Sequence, residues 1–315
     1  MRYVCMLIIL MAFGCKSGKK NPAPAEGYVN VEGGRIWYKI VGNGPGTPLL
    51  LIHGGPGSSS CAGIPGYSLL GNDRPIIFYD QLGSGNSDRP TDTLLWKLPR
   101  FVNEIDALRA SLGLKKLHIL GSSWGGAVLA EYMVTKKPTG VSSVIFSGPL
   151  LSTPIWVEDA ANLLATLPRN LQDTIKKYEA LKDYASPQYM AATDSFYARF
   201  MSVKKWPPAP SATCEGVSGF NNAVYNYMWG PTEFSAPGTL KNFDRTADLH
   251  SIQEPVLFIA GRYDEVRPAT IYQFQKLVPK SKAVIIEDAG HSKIIDQPVK
   301  FTSAIRTFLK QVEGK

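Results

Sequence analysis

Ser123 is the first residue of this chain whose surroundings suggest covalent chemistry. It sits in Gly121-Ser122-Ser123-Trp124-Gly125, a G-x-S-x-G pattern entered through Leu117-His118-Ile119-Leu120 and left through Gly126-Ala127-Val128-Leu129-Ala130. A short apolar run with strand character, a sharp turn and a helix-compatible run make the setting in which such a serine becomes an exposed nucleophile. Gly121 and Gly125 suit a bend too tight for larger side chains. The bland alternative is a Gly/Ser-rich turn with no chemistry. A serine hydroxyl is a weak nucleophile, so it requires a base within reach and a third group that orients the base. The chemistry would be acyl transfer.

On an elbow of this kind the partners follow in the order serine, acid, histidine. The chain has only 4 histidines, so elimination works. His53 and His118 precede Ser123. His250 precedes the apolar run 256–260 and would fall at the wrong end of that strand. His291, in Asp288-Ala289-Gly290-His291-Ser292, follows the last apolar run, at the edge where such sheets place chemistry. It is the candidate base; a capping histidine on the last helix is the other reading. Asp264, in Gly261-Arg262-Tyr263-Asp264-Glu265, is the candidate acid, with Asp288 and Glu265 as rivals. Its task would be to hold the histidine tautomer and stabilise the imidazolium. Two backbone donors are expected for the oxyanion: the N–H of Trp124, and that of Gly55 in His53-Gly54-Gly55-Pro56-Gly57. Losing one such donor costs about 3–4 kcal/mol of transition-state stabilisation. His53 itself reads as structural.

The elements that must position these groups alternate in type. Residues 28–32 and 35–40 flank Gly33-Gly34 as a β-hairpin. Residues 49–52, 76–79, 117–120, 144–146, 256–260 and 283–286 are apolar runs of the buried, parallel kind. Helical spacing appears at Phe101, Ile105, Leu108 and Leu112, and helices are expected near 268–278 and 297–312. Strands alternating with helices specify an α/β fold with a mainly parallel, doubly wound sheet. Between 150 and 248 the alternation stops. Helical segments at 154–166, 169–184 and 187–203, then Trp206-Pro207-Pro208 and the aromatics Phe220, Tyr225, Tyr227 and Trp229, read as a helical insertion. The expected division is a core of 28–149 and 249–315 carrying a cap of 150–248.

The chain has 315 residues, 44% of them hydrophobic and 19% charged, as in a globular protein with a substantial core. Its formal charge is +8, but Lys and Arg are scattered, which gives a nucleic-acid partner no support. Residues 1–15 differ in character. Arg2 precedes the apolar stretch 4–13, too short for a comfortable membrane span, and Ala12-Phe13-Gly14-Cys15 resembles a bacterial lipobox with Ala12 where Leu is usual. A lipoprotein-type signal is expected, with Cys15 lipidated as the only membrane link. Plain secretory cleavage and an uncleaved anchor are the alternatives. Residues 16–27 read as a tether, and the expected location is the bacterial cell envelope. Outside the leader, Cys61 and Cys214 either pair in an oxidising compartment or stay as separate thiols.

Taken together, His53-Gly54-Gly55-Pro56-Gly57, Asp80-Gln81-x-Gly83-x-Gly85-x-Ser87 and Gly121-x-Ser123-Trp124-Gly125-Gly126 resemble the proline iminopeptidases and the related tricorn-interacting aminopeptidases. These are α/β-hydrolases with a helical cap. The resemblance runs from about Tyr28 to the carboxyl end. The first two motifs are more specific than the elbow, because lipases and epoxide hydrolases usually differ there. Two more segments extend it. Gly230-Pro231-Thr232-Glu233-Phe234 is similar to the cap segment whose glutamate binds the substrate amino group. Tyr263-Asp264-Glu265-Val266 is similar to the segment carrying the triad acid and a second amine-binding glutamate. The resemblance therefore implies Glu233 and Glu265 as amine anchors, and a serine exopeptidase that releases an N-terminal residue, with proline expected, from short peptides with a free amino terminus. It implies no metal or organic cofactor. The envelope-type leader is a departure from many relatives. An esterase or amidase using the same triad, or a non-catalytic envelope binding protein, are the rival readings.

Overall fold

The computed structural model describes residues 25–204 and 209–314. The expected leader with Cys15, the tether up to residue 24, and Trp206-Pro207-Pro208 lie outside the described residues. The strands are Glu26–Val31 (β1), Gly34–Val41 (β2), Leu49–Ile52 (β3), Ile76–Tyr79 (β4), Leu117–Ser122 (β5), Val141–Ser147 (β6), Val256–Gly261 (β7) and Ser281–Ile286 (β8). They form one sheet in the order β1-β2-β4-β3-β5-β6-β7-β8. β1 and β2 are antiparallel to their neighbours, and every other pairing is parallel. β1 opens at Glu26, inside the segment expected as tether. Glu26 pairs with Lys39 across the hairpin, and its carboxylate accepts the Trp37 indole N–H at 2.9 Å.

The helices of the described residues are Ile64–Tyr67 (α1), Leu98–Leu112 (α2), Trp124–Glu131 (α3), Thr153–Leu164 (α4), Arg169–Leu181 (α5), Pro187–Phe200 (α6), Asn222–Met228 (α7), Pro268–Leu277 (α8), Lys293–Asp296 (α9) and Pro298–Val312 (α10). Strand side chains alternate between the two faces of the sheet, as a period of two requires. Leu50, Ile52, Ile77 and Ile119 pack on one face with α2, α3 and α8. Leu49, Leu51, Phe78 and Leu120 pack on the other with α1 and α10. Phe301, Ile305 and Leu309 make the buried stripe of α10 at helical spacing, each burial worth about 1.5–3 kcal/mol. None of the described helices is long and apolar enough to cross a membrane.

Helices α4 to α7 lie between β6 and β7, so the helical insertion leaves the sheet at its carboxyl edge, above the elbow. It has a core of its own, with Leu163, Leu164, Ile175, Tyr189, Phe196 and Phe200 packed together. Ser186 caps α6 by accepting the Tyr189 N–H, and Pro187 occupies its first turn, where no amide donor is missed. Three bolts fix the insertion to the sheet domain. Arg267 donates to Asp159 from Nε at 2.5 Å and from its backbone N–H at 3.0 Å. Arg245 forks onto Glu131 at 2.6 and 2.9 Å. Cys61 and Cys214 form a disulfide, which decides the question the sequence left open.

Candidate active site

The elbow is built by exclusion. A Cβ on Gly121 would meet the Gly125 carbonyl, and one on Gly125 would meet the carbonyls of Ile52 and His53. The first turn of α3 therefore touches β3 directly. Ser123 takes φ 55° and ψ −123°, a conformation that costs a non-glycine residue about 1–3 kcal/mol. Surrounding bonds hold it there: its N–H donates to Ser147 O at 3.0 Å, and its carbonyl accepts from Gly126 N at 2.8 Å and Leu150 N at 3.0 Å. Its hydroxyl takes no part in capping α3 and opens on a cavity of about 690 Å³. Gly54, Gly55, Trp124, Glu233, Glu265 and His291 line the same cavity.

The loop 53–57 is held against the elbow by the second motif. Gln81 donates its side-chain N–H to His53 O at 3.1 Å and accepts the Trp124 indole N–H at 2.8 Å. The Gln81 backbone N–H donates to His53 Nε2 at 3.0 Å, which gives His53 a bracing place. Asp80 accepts from Ser60 N and Oγ, both at 2.8 Å, and from Asn86 N at 2.9 Å. Gly55 has φ 122°, and a Cβ there would lie 2.7 Å from Gly57 N, so only glycine fits this bend. The sequence marked these motifs by resemblance; their bracing function needed the geometry.

His291 Nδ1 meets Asp264 Oδ1 at 2.6 Å. The other Asp264 oxygen accepts from Gly261 N at 3.0 Å and from Lys293 Nζ at 2.9 Å. Burial alone would raise the Asp264 pKa, but the charges of Lys293 and His291 outweigh it and hold the carboxyl well below its usual range. Of the rivals for the acid, Asp288 is on the surface with Lys300, and Glu265 turns into the cavity. His118 is buried against Ser143 and Glu313, and His250 bonds its own turn through Ala247 O, both away from Ser123. The His291 loop is docked on the insertion: His291 N donates to Phe200 O and Ser292 N to Met201 O, each at 2.7 Å.

Glu233 and Glu265 are brought together although they lie 32 positions apart, with β7 between them. Both are raised above the ordinary carboxylate range, first by burial. For Glu265 the charges of Glu233 and Asp264 add to the effect. Tyr225 donates its hydroxyl to Glu233, whereas Glu265 Oε1 is buried with no hydrogen-bond partner among the described residues. Trp156 stands edge-on to His291, ring centroids 5.6 Å apart, and Trp229 stands edge-on to Trp156 at 6.0 Å. Phe220 and Trp229 line the cavity. Tyr227 does not; it packs on Trp96 outside. Trp156, Tyr197, Gly148 and Lys293 also face this site and carried no sequence signal. Among the described residues no cluster of His, Cys, Asp and Glu is arranged to hold a metal.

Residues 47–298 match the family model of the alpha/beta hydrolase fold. The proline iminopeptidase of Heyndrickxia coagulans is 44% identical over 289 residues, which cover 91% of this chain and 99% of that protein. The chain belongs to the proline iminopeptidase family of α/β hydrolases. The crystal structure of the family member from Mycobacterium smegmatis superposes with a TM-score of 0.81 at 29% identity, covering 91% of this chain and 98% of that one. The crystal structure of VinJ gives a TM-score of 0.84 at 30% identity, covering 92% and 100%. Membership makes this protein a serine hydrolase.

Proposed function

We propose that the protein is a serine exopeptidase that releases an N-terminal residue, proline foremost, from short peptides. The observation that carries this reading is the pair of buried carboxylates, Glu233 and Glu265, in the cavity onto which Ser123 opens. Ser123 Oγ attacks the carbonyl carbon of the first peptide bond and gives its proton to His291 Nε2. The oxyanion is held by the N–H groups of Trp124 and Gly55. His291, oriented by Asp264, then protonates the departing amine as the C–N bond breaks, leaving an acyl-enzyme. Water attacks the ester, its proton passes to His291, and collapse returns that proton to Ser123 with release of the free amino acid.

The amine anchors explain where on the peptide this happens. A prolyl ammonium carries two N–H donors, one for each carboxylate, and charge-assisted bonds of this kind are the strong ones. A blocked or internal nitrogen brings no charge and leaves the acids buried without a cationic partner. The ring faces and edges of Trp156 and Trp229 supply an apolar wall for a pyrrolidine. The test compares proline naphthylamide with its N-acetylated form and with simple acyl esters. Turnover is expected only with the free amine; equal turnover of blocked and free substrates would favour a general esterase or amidase and overturn this reading.

We further propose that residues 1–15 are a lipoprotein-type signal and that Cys15 anchors the protein in the bacterial cell envelope. The Cys61–Cys214 disulfide supports an oxidising compartment. Cys15→Ala is expected to leave the membrane fraction; a variant that stays there would count against the anchor.

A further inference from the structure

Lys293 takes no part in the steps above, yet it is 1% exposed and ranks among the largest fully buried side chains, the only lysine in the buried class among the described residues. Lysine is almost never fully buried unless paired, because stripping water from an ammonium is costly. Here the ammonium is paired with a carboxylate and a carbonyl. Nζ donates to Asp264 Oδ2 at 2.9 Å and to the His291 carbonyl at 2.9 Å. Those two contacts join the acid loop after β7 to the histidine loop after β8. The space for this is provided by Gly148 at the end of β6, where a Cβ would lie 2.7 Å from Lys293 Nζ, 3.0 Å from Asp264 Oδ2 and 3.0 Å from His291 Nδ1.

The charges around this point are unbalanced without the lysine. Asp264 and Glu265 are adjacent, Glu233 faces them from the insertion, and Tyr197 and Tyr225 close the cavity from α6 and α7. Asp296, on α9 with Lys293, is occupied by Ser202 Oγ at 2.7 Å and Gly290 N at 2.8 Å. Lys293 is the buried cation beside Asp264 and Glu265, while His291 is the group that faces Glu233. Asp264 Oδ1 is satisfied by His291 and by Val266 N at 3.2 Å, and Oδ2 by Gly261 N and Lys293.

We propose that Lys293 is the positioning residue of the triad: gripping Asp264 Oδ2 and the His291 backbone together, it keeps Asp264 ionised beside Glu233 and Glu265 and keeps Oδ1 aimed at His291. The inference rests on Ser123, Asp264 and His291 being the catalytic triad. A neutral side chain in its place leaves a carboxylate among carboxylates, free to take a proton or turn away. An Asp264 that takes up a proton at higher pH no longer orients His291, so activity is lost earlier on acidification.

The test uses the full protein, with proline naphthylamide turnover and the rate of Ser123 labelling by a fluorophosphonate, both as functions of pH. The fluorophosphonate carries no amine, so labelling reads the triad apart from Glu233 and Glu265. Lys293→Met is expected to slow both about a hundredfold, as a misplaced catalytic group does, and to move the acidic limb of both profiles upward. Lys293→Arg, which keeps the charge, is expected to leave the limb at its wild-type position and to recover part of the rate. An unchanged profile in Lys293→Met, or a limb displaced as far in Lys293→Arg, overturns the proposal; if Lys293→Met does not fold, the Lys293→Arg profile decides alone. Failure of the wild-type protein to label at Ser123 would instead refute the triad on which the inference rests.

Discussion

Asp264 and Glu265 are neighbours in the chain and both are buried, yet their protons behave in opposite ways. Lys293 and His291 hold Asp264 ionised, while burial, Glu233 and Asp264 drive Glu265 well above the carboxylate range. The cavity therefore keeps protons on Glu233 and Glu265, the proposed amine anchors, at pH values where Asp264 has none. An incoming ammonium must displace them. Affinity for free-amine substrates is accordingly full above the raised anchor values and is lost as pH falls through them. KM should rise on acidification while fluorophosphonate labelling continues, and Glu265→Gln should flatten that rise. Glu233→Gln should cost about 1.5–3 kcal/mol, the worth of a hydrogen bond to a charged group. That is about tenfold to a hundredfold in kcat/KM for free-amine substrates, with labelling of Ser123 unaffected; unchanged discrimination between free and blocked amines would remove Glu233 from the site. The sequence put Asp264 ahead of Asp288 and Glu265 from its place after the strand 256–260, but did not reveal the contacts that hold it there. Those contacts are His291 Nδ1 at 2.6 Å and a lysine two positions past His291, which in one dimension looks like any surface lysine.

At the scale of the element, the elbow is a contact between two backbones. Gly125 lies so close to the carbonyls of Ile52 and His53 that α3, β3 and the loop 53–57 move as one piece. Gly125→Ala should lower turnover about a hundredfold, since displacing a catalytic group by about 1 Å has that effect. Measured melting and activity together would check it, and an active, unshifted variant would contradict the contact. These elements were legible because their signals are local. Continuous apolar runs read as buried parallel strands, and 3.6-residue spacing read as α2, α8 and α10. The bracing by Asp80 and Gln81 was not legible, because it joins residues 43 positions apart, Gln81 to Trp124, through side-chain bonds that no spacing reveals. Tyr227 shows the same limit from the other side. An aromatic next to the site in sequence turned its ring to Trp96.

Over the whole molecule, the insertion and the sheet domain share the site. His291 hangs from the Phe200 carbonyl of α6, Asp159 of α4 holds Arg267 beside the acid loop, and Glu233 comes wholly from the insertion. Separating the two would dismantle the site from both sides. The Cys61→Ser, Cys214→Ser double variant should lose about 2–5 kcal/mol of stability, read as a lower melting temperature. It should still label at Ser123, since neither cysteine touches the triad. Pairing of these cysteines was beyond the sequence, because 153 positions separate them and only the packed fold brings them together. The same span has a consequence for handling the protein. Every peptide bond between the two cysteines lies inside a covalent ring, including the exposed Lys182-Asp183 corner after α5. A protease that clips this corner produces two fragments that travel as one until a reductant is added. Nicked molecules will therefore run as intact on a gel without reductant, and a falling specific activity would look like poisoning when it is breakage.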